Sequence, residues 1–223
     1  MMDLNFISLG KKEYQEVLSE QLRLREARRR GEIPDTILLV EHPRVITEGR
    51  RPAGEDYLIP PEHLKSQGFS VEKVNRGGRL TYHGPGQLVI YFILSLPKLG
   101  LSVPEFVRWV EQTGLDTLES YGVAAGRREG LPGLWVGDRK IGSLGLAVDR
   151  GITMHGMALN VCPNLLDFQV IIPCGMPDCK VTSIHLESSQ NPTLSEVEQS
   201  FCDKAEKSHQ ELLQVAKKPL ASA

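Results

Sequence analysis

The sequence lacks several features that would assign it to whole classes of protein. No apolar run approaches the length of a membrane-spanning helix, and residues 1–5 do not have the charged-then-apolar layout of a secretion signal. Positive charge is not in excess either, since 26 Lys and Arg residues stand against 28 Asp and Glu residues. A nucleic-acid-binding domain would normally be basic. These absences predict a soluble cytoplasmic protein that binds neither membranes nor nucleic acids.

Cysteine is also scarce, with only Cys162, Cys174, Cys179 and Cys202 in the chain. No two of them form the C-x-x-C pair typical of zinc sites, and no other metal-ligand spacing is present, so we expect no bound metal. In a reducing cytosol the default for each cysteine is a free, buried, small apolar residue. At most one or two of them are expected to take part in chemistry.

The chain has 223 residues, without an internal repeat or a linker that would divide it. We therefore interpret residues 1–223 as a single domain, with a frayed tail over 217–223. Capping boxes at Ser102 with Glu105 and at Thr193 with Glu196 predict the starts of two helices. The apolar pattern further predicts a helix over 12–30 and strands over 4–9, 36–41, 45–47, 88–94, 134–136, 139–148 and 152–161, the last three being adjacent and antiparallel.

Arginines cluster toward the end of the first predicted helix, at positions 23, 25 and 28–30. Cations in a last turn interact favourably with the helix dipole, which is a purely structural reason for them. The alternative is a docking patch for an acidic partner protein. We favour the structural explanation.

A glycine-rich stretch lies at the centre of the chain, between two apolar runs. Four glycines and a proline occur within the twelve residues 76–87. Glycine lets the backbone come close to a ligand, so the polar residues between these glycines could line a site on a loop. A two-turn hairpin with exposed polar groups is an equally good interpretation. The stretch matches neither a P-loop nor a dinucleotide-binding motif.

One cysteine and one lysine are candidates for chemistry because of their contexts. Cys174 lies between Pro173 and Gly175, at the end of an apolar run that we interpret as a strand, so it is presented on a tight turn. A thiol becomes a nucleophile when a nearby cation favours the thiolate. Lys140 begins a strand of small and apolar residues, where it is either solvated or a partly desolvated amine able to move protons. His83 and His155 are rival bases, and a buried structural cysteine is the main alternative for Cys174.

Four segments together resemble one family, the octanoyl-(acyl-carrier-protein):protein N-octanoyltransferases. They occur in the family's order and cover about residues 36–184. The segments are Arg76-Gly-Gly-Arg-Leu-Thr-Tyr-His-Gly-Pro-Gly-Gln87, Gly133-Leu-Trp-Val-Gly-Asp-Arg-Lys-Ile-Gly-Ser-Leu-Gly145, His155-Gly-Met-Ala-Leu-Asn160, and Ile172-Pro-Cys-Gly175 with Val181-Thr-Ser183. The chain departs from the family's pattern at Arg79, Gly142 and Met157, and we expect Met157 to alter the shape of the acyl pocket.

The resemblance implies an α/β fold (α+β) like the catalytic domains of biotin and lipoate protein ligases, with helices flanking a mostly antiparallel mixed sheet. It implies a two-step acyl transfer without a cofactor. Cys174 would hold the octanoyl group as a thioester, and Lys140 would lower the pKa of that thiol and move protons. The implied substrate-binding residues are Arg76, Gly77, Gly78, Arg79, Leu80, Thr81, Tyr82, His83, Ser143, Leu144, Gly145, Gly156, Met157 and Ala158.

The resemblance also implies the partners. The donor would be octanoyl acyl carrier protein, and the acceptors would be lipoyl domains of 2-oxoacid dehydrogenase E2 subunits and the glycine cleavage H protein. An ATP-dependent lipoate–protein ligase shares the fold, but it needs no cysteine nucleophile and has a second glycine motif that this chain lacks. A transferase that moves octanoyl between lipoyl domains is a closer alternative. A non-catalytic acyl-protein binding module would leave the contexts of Cys174 and Lys140 unexplained.

Overall fold

Eleven strands and six helices are present in this computed structural model, which describes residues 4–216 apart from the side chains of residues 174, 215 and 216. The strands are β1 (Leu4–Lys11), β2 (Asp35–Glu41), β3 (Val45–Glu48), β4 (Ser70–Lys73), β5 (Leu80–His83), β6 (Gln87–Ile93), β7 (Gly126–Arg128), β8 (Leu131–Val136), β9 (Arg139–Asp149), β10 (Ile152–Asn160) and β11 (Lys180–Val181). The helices are α1 (Tyr14–Arg30), α2 (Pro61–Leu64), α3 (Leu96–Leu99), α4 (Val103–Glu119), α5 (Ile184–Glu187) and α6 (Leu194–Ala216). The predicted frayed tail lies outside the described residues.

A large sheet with the strand order β1-β2-β6-β10-β9-β8-β7 organises the fold. The β1/β2 pair is parallel, and the other pairs along this order are antiparallel. β11 adds a short parallel pairing with β9 at Arg139 and Lys140, just beyond the part of β9 that pairs with β10. A small sheet, in the order β4-β3-β5, lies beside the large one. The predicted mixed, mostly antiparallel sheet with flanking helices is confirmed.

Both faces of the large sheet are covered, which is why β6 is apolar along its whole length rather than at alternate positions. Ile90 and Phe92 belong to the face under α4 and α6, whereas Val89 and Tyr91 belong to the face under α1. No helix in residues 4–216 is both long enough and apolar enough to cross a membrane.

Aromatic rings attach α4 and α6 to the sheet. The ring centroid of Phe92 lies 5.8 Å from that of Phe106, 5.9 Å from that of Trp109 and 6.2 Å from that of Phe201. Edge-to-face pairs contribute about 0.5–1.5 kcal/mol each beyond the burial of their surface. This cluster therefore fixes the position of two helices that are far apart in sequence.

Both predicted capping boxes are present. The Ser102 N–H donates to Glu105 Oε2 at 2.8 Å, and the Glu105 N–H donates back to Ser102 Oγ at 3.4 Å. Thr193 and Glu196 make the same two bonds, at 2.7 and 3.3 Å. These caps satisfy N–H groups that have no partner within the helix, so α4 and α6 start where the sequence predicts.

Two predicted segments have a different structure. The glycine-rich stretch is not all loop, because Leu80–His83 forms the buried strand β5, paired with β3. Threonine and tyrosine favour strands, and the flanking glycines supply the turns at each end. The apolar run before Cys174 is not a strand. Leu165–Val170 is a 3₁₀ turn that starts at an Asn164 cap, and Ile171 makes only an isolated bridge to Tyr57.

The arginine cluster of α1 is engaged in ion pairs within the chain. Arg28 is buried against Asp35, and Arg29 pairs with both Glu26 and Asp149. Further pairs join Arg23 to Glu20, Arg25 to Glu26 and Asp149, and Arg30 to Glu32. These contacts favour the structural explanation of the cluster over a docking patch.

The Asp35 carboxylate joins four elements in the interior. Arg28 Nε donates to Asp35 Oδ1 at 2.7 Å, the Ser95 N–H donates to the same oxygen at 2.8 Å, and His209 Nε2 of α6 lies 3.7 Å from Oδ2. Burial alone would raise the pKa of Asp35, but His209, Arg28 and the Ser95 N–H together lower it. The ionised carboxylate therefore stabilises the junction of α1, β2, α3 and α6.

Substituting Asp35→Asn should lower the free energy of unfolding by about 3 kcal/mol at pH 7, because Arg28 would be left buried without its anionic partner. The pKa of Asp35 is lower in the folded protein than in the unfolded chain, where it is about 3.9. Its ionisation therefore adds to the free energy of unfolding at pH values above about 3.9. This contribution is lost as the pH falls through the pKa of the folded state. The variant should thus lose less stability than wild type on acidification below about pH 4. Urea unfolding across pH 2–7 measures both effects.

Asp149→Asn is the matched control, because Asp149 also pairs with arginines of α1 but is about half exposed. Its effect should stay within about 0.5 kcal/mol. Equal losses in the two variants would contradict a special role for the buried carboxylate.

Candidate active site

A cleft of about 450 Å³, counted with the part open to solvent, lies where the small sheet meets the α1 face of the large sheet. Its walls come from β5, β6, β9, β10, the turn before β5 and the start of α1. The residues that line it are Tyr14, Arg76, Gly78, Arg79, Thr81, His83, Val89, Tyr91, Ser143, Leu144, Gly145, His155, Gly156, Met157 and Ala158.

Most of the residues predicted to bind substrate line this cleft, but three do not. Leu80 and Tyr82 point to the other side of β5, into an apolar cluster with Phe69 and Phe168. Side chains alternate along a strand, so a strand over these residues necessarily divides them between two faces. Gly77 is also outside the lining, and its N–H donates to the Leu146 carbonyl oxygen at 2.9 Å, which attaches the turn to β9.

Sequence reasoning missed Tyr14, Val89 and Tyr91 as lining residues. Tyr14 lies in the helix predicted over 12–30, and the other two lie in the strand predicted over 88–94. Both the helix and the strand are present in the structure, as α1 and β6. The pattern carries no signal that distinguishes a side chain facing a cleft from one facing the core.

Glycines allow the two central strands to form the cleft wall. A Cβ atom at position 156 would lie 1.9 Å from the Ile90 carbonyl oxygen and 2.8 Å from Phe92 Cδ2. A Cβ atom at position 145 would lie 2.9 Å from Arg76 Cδ. Met157, the predicted modifier of the pocket, has its Sδ and Cε against Gly114 of α4. Glycine at positions 145 and 156 is thus required by close contacts within the chain.

The guanidinium group of Arg76 is buried at the edge of the cleft. Its Nε and Nη2 donate to Thr47 Oγ1 at 3.1 and 2.8 Å, Nη2 also donates to the Thr47 carbonyl oxygen, and Nη1 donates to the Gly77 carbonyl oxygen at 2.9 Å. These bonds hold a positive charge beside the substrate space.

The two candidate histidines are buried at the cleft as neutral imidazoles. Burial lowers the pKa of His83 well below its ordinary value, and the charges of His42 and Arg76 lower it further. Burial, followed by the charge of Arg76, lowers the pKa of His155 to about 4. A base with such a pKa accepts protons poorly at neutral pH. This favours Lys140 over either histidine as the proton carrier.

Lys140 is not a solvated lysine, since only 3 % of it is exposed. Its Nζ lies 5.1 Å from the centroid of the Trp135 ring. A Cβ atom at position 133 would lie 2.7 Å from Lys140 Cε, so Gly133 leaves the room in which the lysine stem lies. Of the two alternatives for Lys140, a solvated side chain or a partly desolvated amine, the second is the one that suits a chemical role.

The segment that carries Cys174 runs from the cleft to β9 at Lys140. The structure describes the main chain of Cys174 but not its side chain. Pro173–Gly175 forms a 3₁₀ turn, and a Cβ atom at position 175 would lie 2.7 Å from Arg79 Cδ. After the turn the chain returns to β9, where the Thr182 N–H donates to the Lys140 carbonyl oxygen at 2.9 Å. The segment that carries Cys174 thus contacts the cleft at Arg79 and, eight residues later, the main chain of Lys140.

The remaining cysteines differ in environment. Burial, followed by the charges of Glu198, Asp203 and Glu206, raises the pKa of Cys202 to about 12, so its thiol is protonated. Cys162 is exposed rather than buried as expected, and partial desolvation and the Glu41 carboxylate raise its pKa. Cys179 is half-buried, with Sγ 3.7 Å from the Lys180 carbonyl oxygen. Among the described side chains, no three His, Cys, Asp or Glu groups come together as metal ligands.

Comparison with known proteins gives consistent results. The profile of the lipoyl protein ligase A/B catalytic domain matches residues 13–206. An octanoyltransferase of Alkaliphilus metalliredigens is 48 % identical over 185 residues, which cover 82 % of this chain and 84 % of the relative.

Solved structures show the same fold. A bipartite lipoate protein ligase of Thermoplasma acidophilum, described with its E2 lipoyl domain, aligns with a TM-score of 0.73 at 16 % identity and covers 98 % of this chain and 94 % of that one. A biotin protein ligase of Aquifex aeolicus, in complex with biotin and ATP, aligns with a TM-score of 0.57 at 13 % identity, covering 96 % and 73 %.

Substituting Gly156→Ala should destabilise the protein by about 3 kcal/mol or more, because its Cβ would meet the Ile90 carbonyl oxygen and could be accommodated only by separating β10 from β6. Thermal unfolding measures the loss. Gly126→Ala is the matched control, since that position is also a strand glycine but has nothing within 4 Å of a Cβ. It should change stability by less than about 0.5 kcal/mol. A Gly156→Ala protein as stable as the control would contradict the close packing.

Proposed function

Because this chain belongs to the lipoyl protein ligase A/B catalytic-domain family and is an octanoyltransferase of protein lipoylation, we propose that it carries the octanoyl group as a thioester on Cys174. The donor in this proposal is octanoyl acyl carrier protein, and the acceptor is a lysine of a lipoyl domain. One observation supports it: the turn bearing Cys174 lies against Arg79 of the cleft, and the same segment then pairs with β9 at the buried Lys140.

In the first step the Cys174 thiolate attacks the carbonyl carbon of the donor thioester. The bond from that carbon to the carrier's sulfur breaks, and the departing thiolate takes a proton from the Lys140 ammonium group. The octanoyl group is then on Cys174, and Lys140 is a neutral amine. Because a thioester is already activated, the step requires no ATP.

In the second step the neutral amine of the acceptor lysine attacks the carbonyl carbon of the acyl-cysteine. The bond to the Cys174 sulfur breaks, and the extra proton on the attacking nitrogen passes to Lys140. The products are an octanoyl amide, a Cys174 thiolate and a Lys140 ammonium group, so the enzyme has returned to its starting state. One lysine serves both steps because it alternates between donor and acceptor of a proton.

The lining of the cleft suits an extended acyl chain. Val89, Leu144 and Ala158 contribute apolar surface, and Gly145 and Gly156 let the main chain of β9 and β10 form part of the wall. Such a site binds mainly by removing apolar surface from water. The apolar part of the substrate would lie over the cleft face of these two strands, with its thioester toward the turn that carries Cys174.

The proposed acceptors are lipoyl domains of 2-oxoacid dehydrogenase E2 subunits and the glycine cleavage H protein. The archaeal ligase of like fold is described with an E2 lipoyl domain, which supports a lipoyl domain as the class of acceptor. The acceptor lysine must reach the acyl group on Cys174.

An intact-mass measurement tests the covalent intermediate. Wild type and Cys179→Ser proteins mixed with octanoyl acyl carrier protein should gain one octanoyl group that is labile to hydroxylamine, and Cys174→Ser should not. Adding a lipoyl domain should then remove the adduct. An adduct on Cys179, or an active wild type without any adduct, would contradict the proposal.

Two further arms separate the alternatives. Product from free octanoate and ATP, without a carrier protein, would indicate a ligase. Transfer with an octanoylated lipoyl domain as sole donor would indicate exchange between lipoyl domains.

Replacing Lys140→Met should slow acyl-enzyme formation by about 10²–10⁴-fold, because the departing thiolate would lack its proton donor. The pH midpoint for alkylation of Cys174 should also rise, since no ammonium group would favour the thiolate. Rapid-quench kinetics and iodoacetamide rates against pH measure the two effects. Lys180→Met is the control, because Lys180 is exposed and pairs with Asp138. If the two variants behaved alike, Lys140 would not be the proton carrier.

A further inference from the structure

A partly buried ion pair lies beside the turn that carries Cys174. Asp56 ends a short 3₁₀ turn, Gly54–Asp56, and its side chain is only 5 % exposed. Arg79 Nε donates to Asp56 Oδ2 at 2.5 Å, which is a short, charge-assisted hydrogen bond. Asp56 does not line the cleft, so its carboxylate acts there only through Arg79.

Arg79 transmits this contact to the 173–175 turn. Its side chain lies across the main chain of Gly175, where a Cβ atom would be 2.7 Å from Arg79 Cδ and 3.0 Å from Nε. Gly175 has a φ of +71°, a conformation that glycine adopts without strain. The arginine stem can therefore rest on this turn only while position 175 has no side chain and the carboxylate holds the guanidinium.

The main chain around Asp56 holds the other side of the same turn. The Ile172 N–H donates to the Asp56 carbonyl oxygen at 2.6 Å, and the Leu58 N–H donates to the Val170 carbonyl oxygen at 3.0 Å. Tyr57 and Ile171 form an antiparallel bridge between these bonds. Asp56 thus contacts Ile172, just before the turn, directly through its main chain. It contacts Gly175, at the end of the turn, through Arg79.

We propose that Asp56 is a positioning residue for acyl transfer: with Arg79 it clamps the 173–175 turn and so sets where the Cys174 thiol stands relative to Lys140 and the cleft. The inference rests on the proposed role of Cys174. Reacting groups must be placed within about 1 Å, and a displacement of that size can cost about 10²-fold in rate. The pair suits this task because its carboxylate is buried, so water has little access to that end of the contact.

An exposed ion pair lies at the other end of the segment that carries Cys174. Lys180 Nζ lies 2.8 Å from Asp138 Oδ2, but these side chains are 69 % and 57 % exposed. Exposed pairs hold geometry weakly. Asp138→Asn is therefore the matched control for Asp56→Asn, because it removes a carboxylate that also attaches this segment to the rest of the fold.

The experiment compares the two variants in two measurements. The first is the rate of single-turnover acylation by octanoyl acyl carrier protein. The second is the rate of iodoacetamide labelling of Cys174 at a series of pH values, with the labelled peptide detected by its mass. Asp56→Asn should slow acylation about 10- to 100-fold and raise the pH midpoint of labelling, with KM for the donor changed less than twofold. Asp138→Asn should match wild type in each. Asp56→Glu, which keeps the charge, should recover most of the rate.

A double substitution tests whether the effect passes through Arg79. If Asp56 acts through Arg79, Asp56→Asn combined with Arg79→Gln should be no slower than the slower single variant. If the rate reductions of the two single variants multiplied in the double variant, the clamp would be refuted. An Asp56→Asn protein that unfolds at lower temperature but acylates and labels like wild type would also refute it, because that result indicates a purely structural role.

Failure of the two proposals can be told apart. A wild-type protein that forms no adduct on Cys174 would refute the acyl-cysteine intermediate, whatever Asp56 does. A wild type that forms the adduct, beside an Asp56→Asn variant of equal rate and equal labelling profile, would refute only the clamp. The labelling measurement uses no octanoyl donor and therefore reports on the turn by itself.

Discussion

The buried guanidinium group of Arg76 is the contact on which the cleft depends. It hydrogen-bonds Thr47 on β3 of the small sheet, while its stem packs against Gly145 on β9 of the large sheet. The Gly77 N–H attaches the same turn to Leu146 of β9. One side chain thus holds the two sheets at a set separation, and the cleft is the space between them. Glycine at 145 is required because any Cβ would occupy the place of the arginine stem.

The same charge organises the acid–base properties of the site. Burial and the nearby Arg76 keep the pKa values of His83 and His155 low, so these imidazoles contribute shape and hydrogen bonds rather than charge. Lys140 lies instead against the face of Trp135, an environment that suits a cation. The buried histidines thus line the cleft, whereas Lys140 lies outside its lining.

The fold is shared with proteins described as lipoate and biotin protein ligases, so the sheet alone does not determine the reaction. The proposed acyl transfer depends instead on the segment that follows β10. It runs past Asp56 and Arg79, forms the turn with Cys174, and pairs with β9 beside Lys140. A nucleophile placed on such a turn needs support from outside the turn, because a three-residue 3₁₀ turn has few bonds of its own.

Patterns within a few residues allowed the helix starts at Ser102 and Thr193 and a three-strand unit over 134–161 to be predicted from the sequence, because caps and hairpins depend on neighbours in the chain. The structure places that unit at 131–160. The family motifs also indicated most of the cleft residues. The strand over 80–83, the cleft position of Tyr14 and the contact between Asp56 and Arg79 were decided only by the tertiary structure. Each depends on which distant segment covers a given face, and that choice is made by packing of the whole chain rather than by local preference.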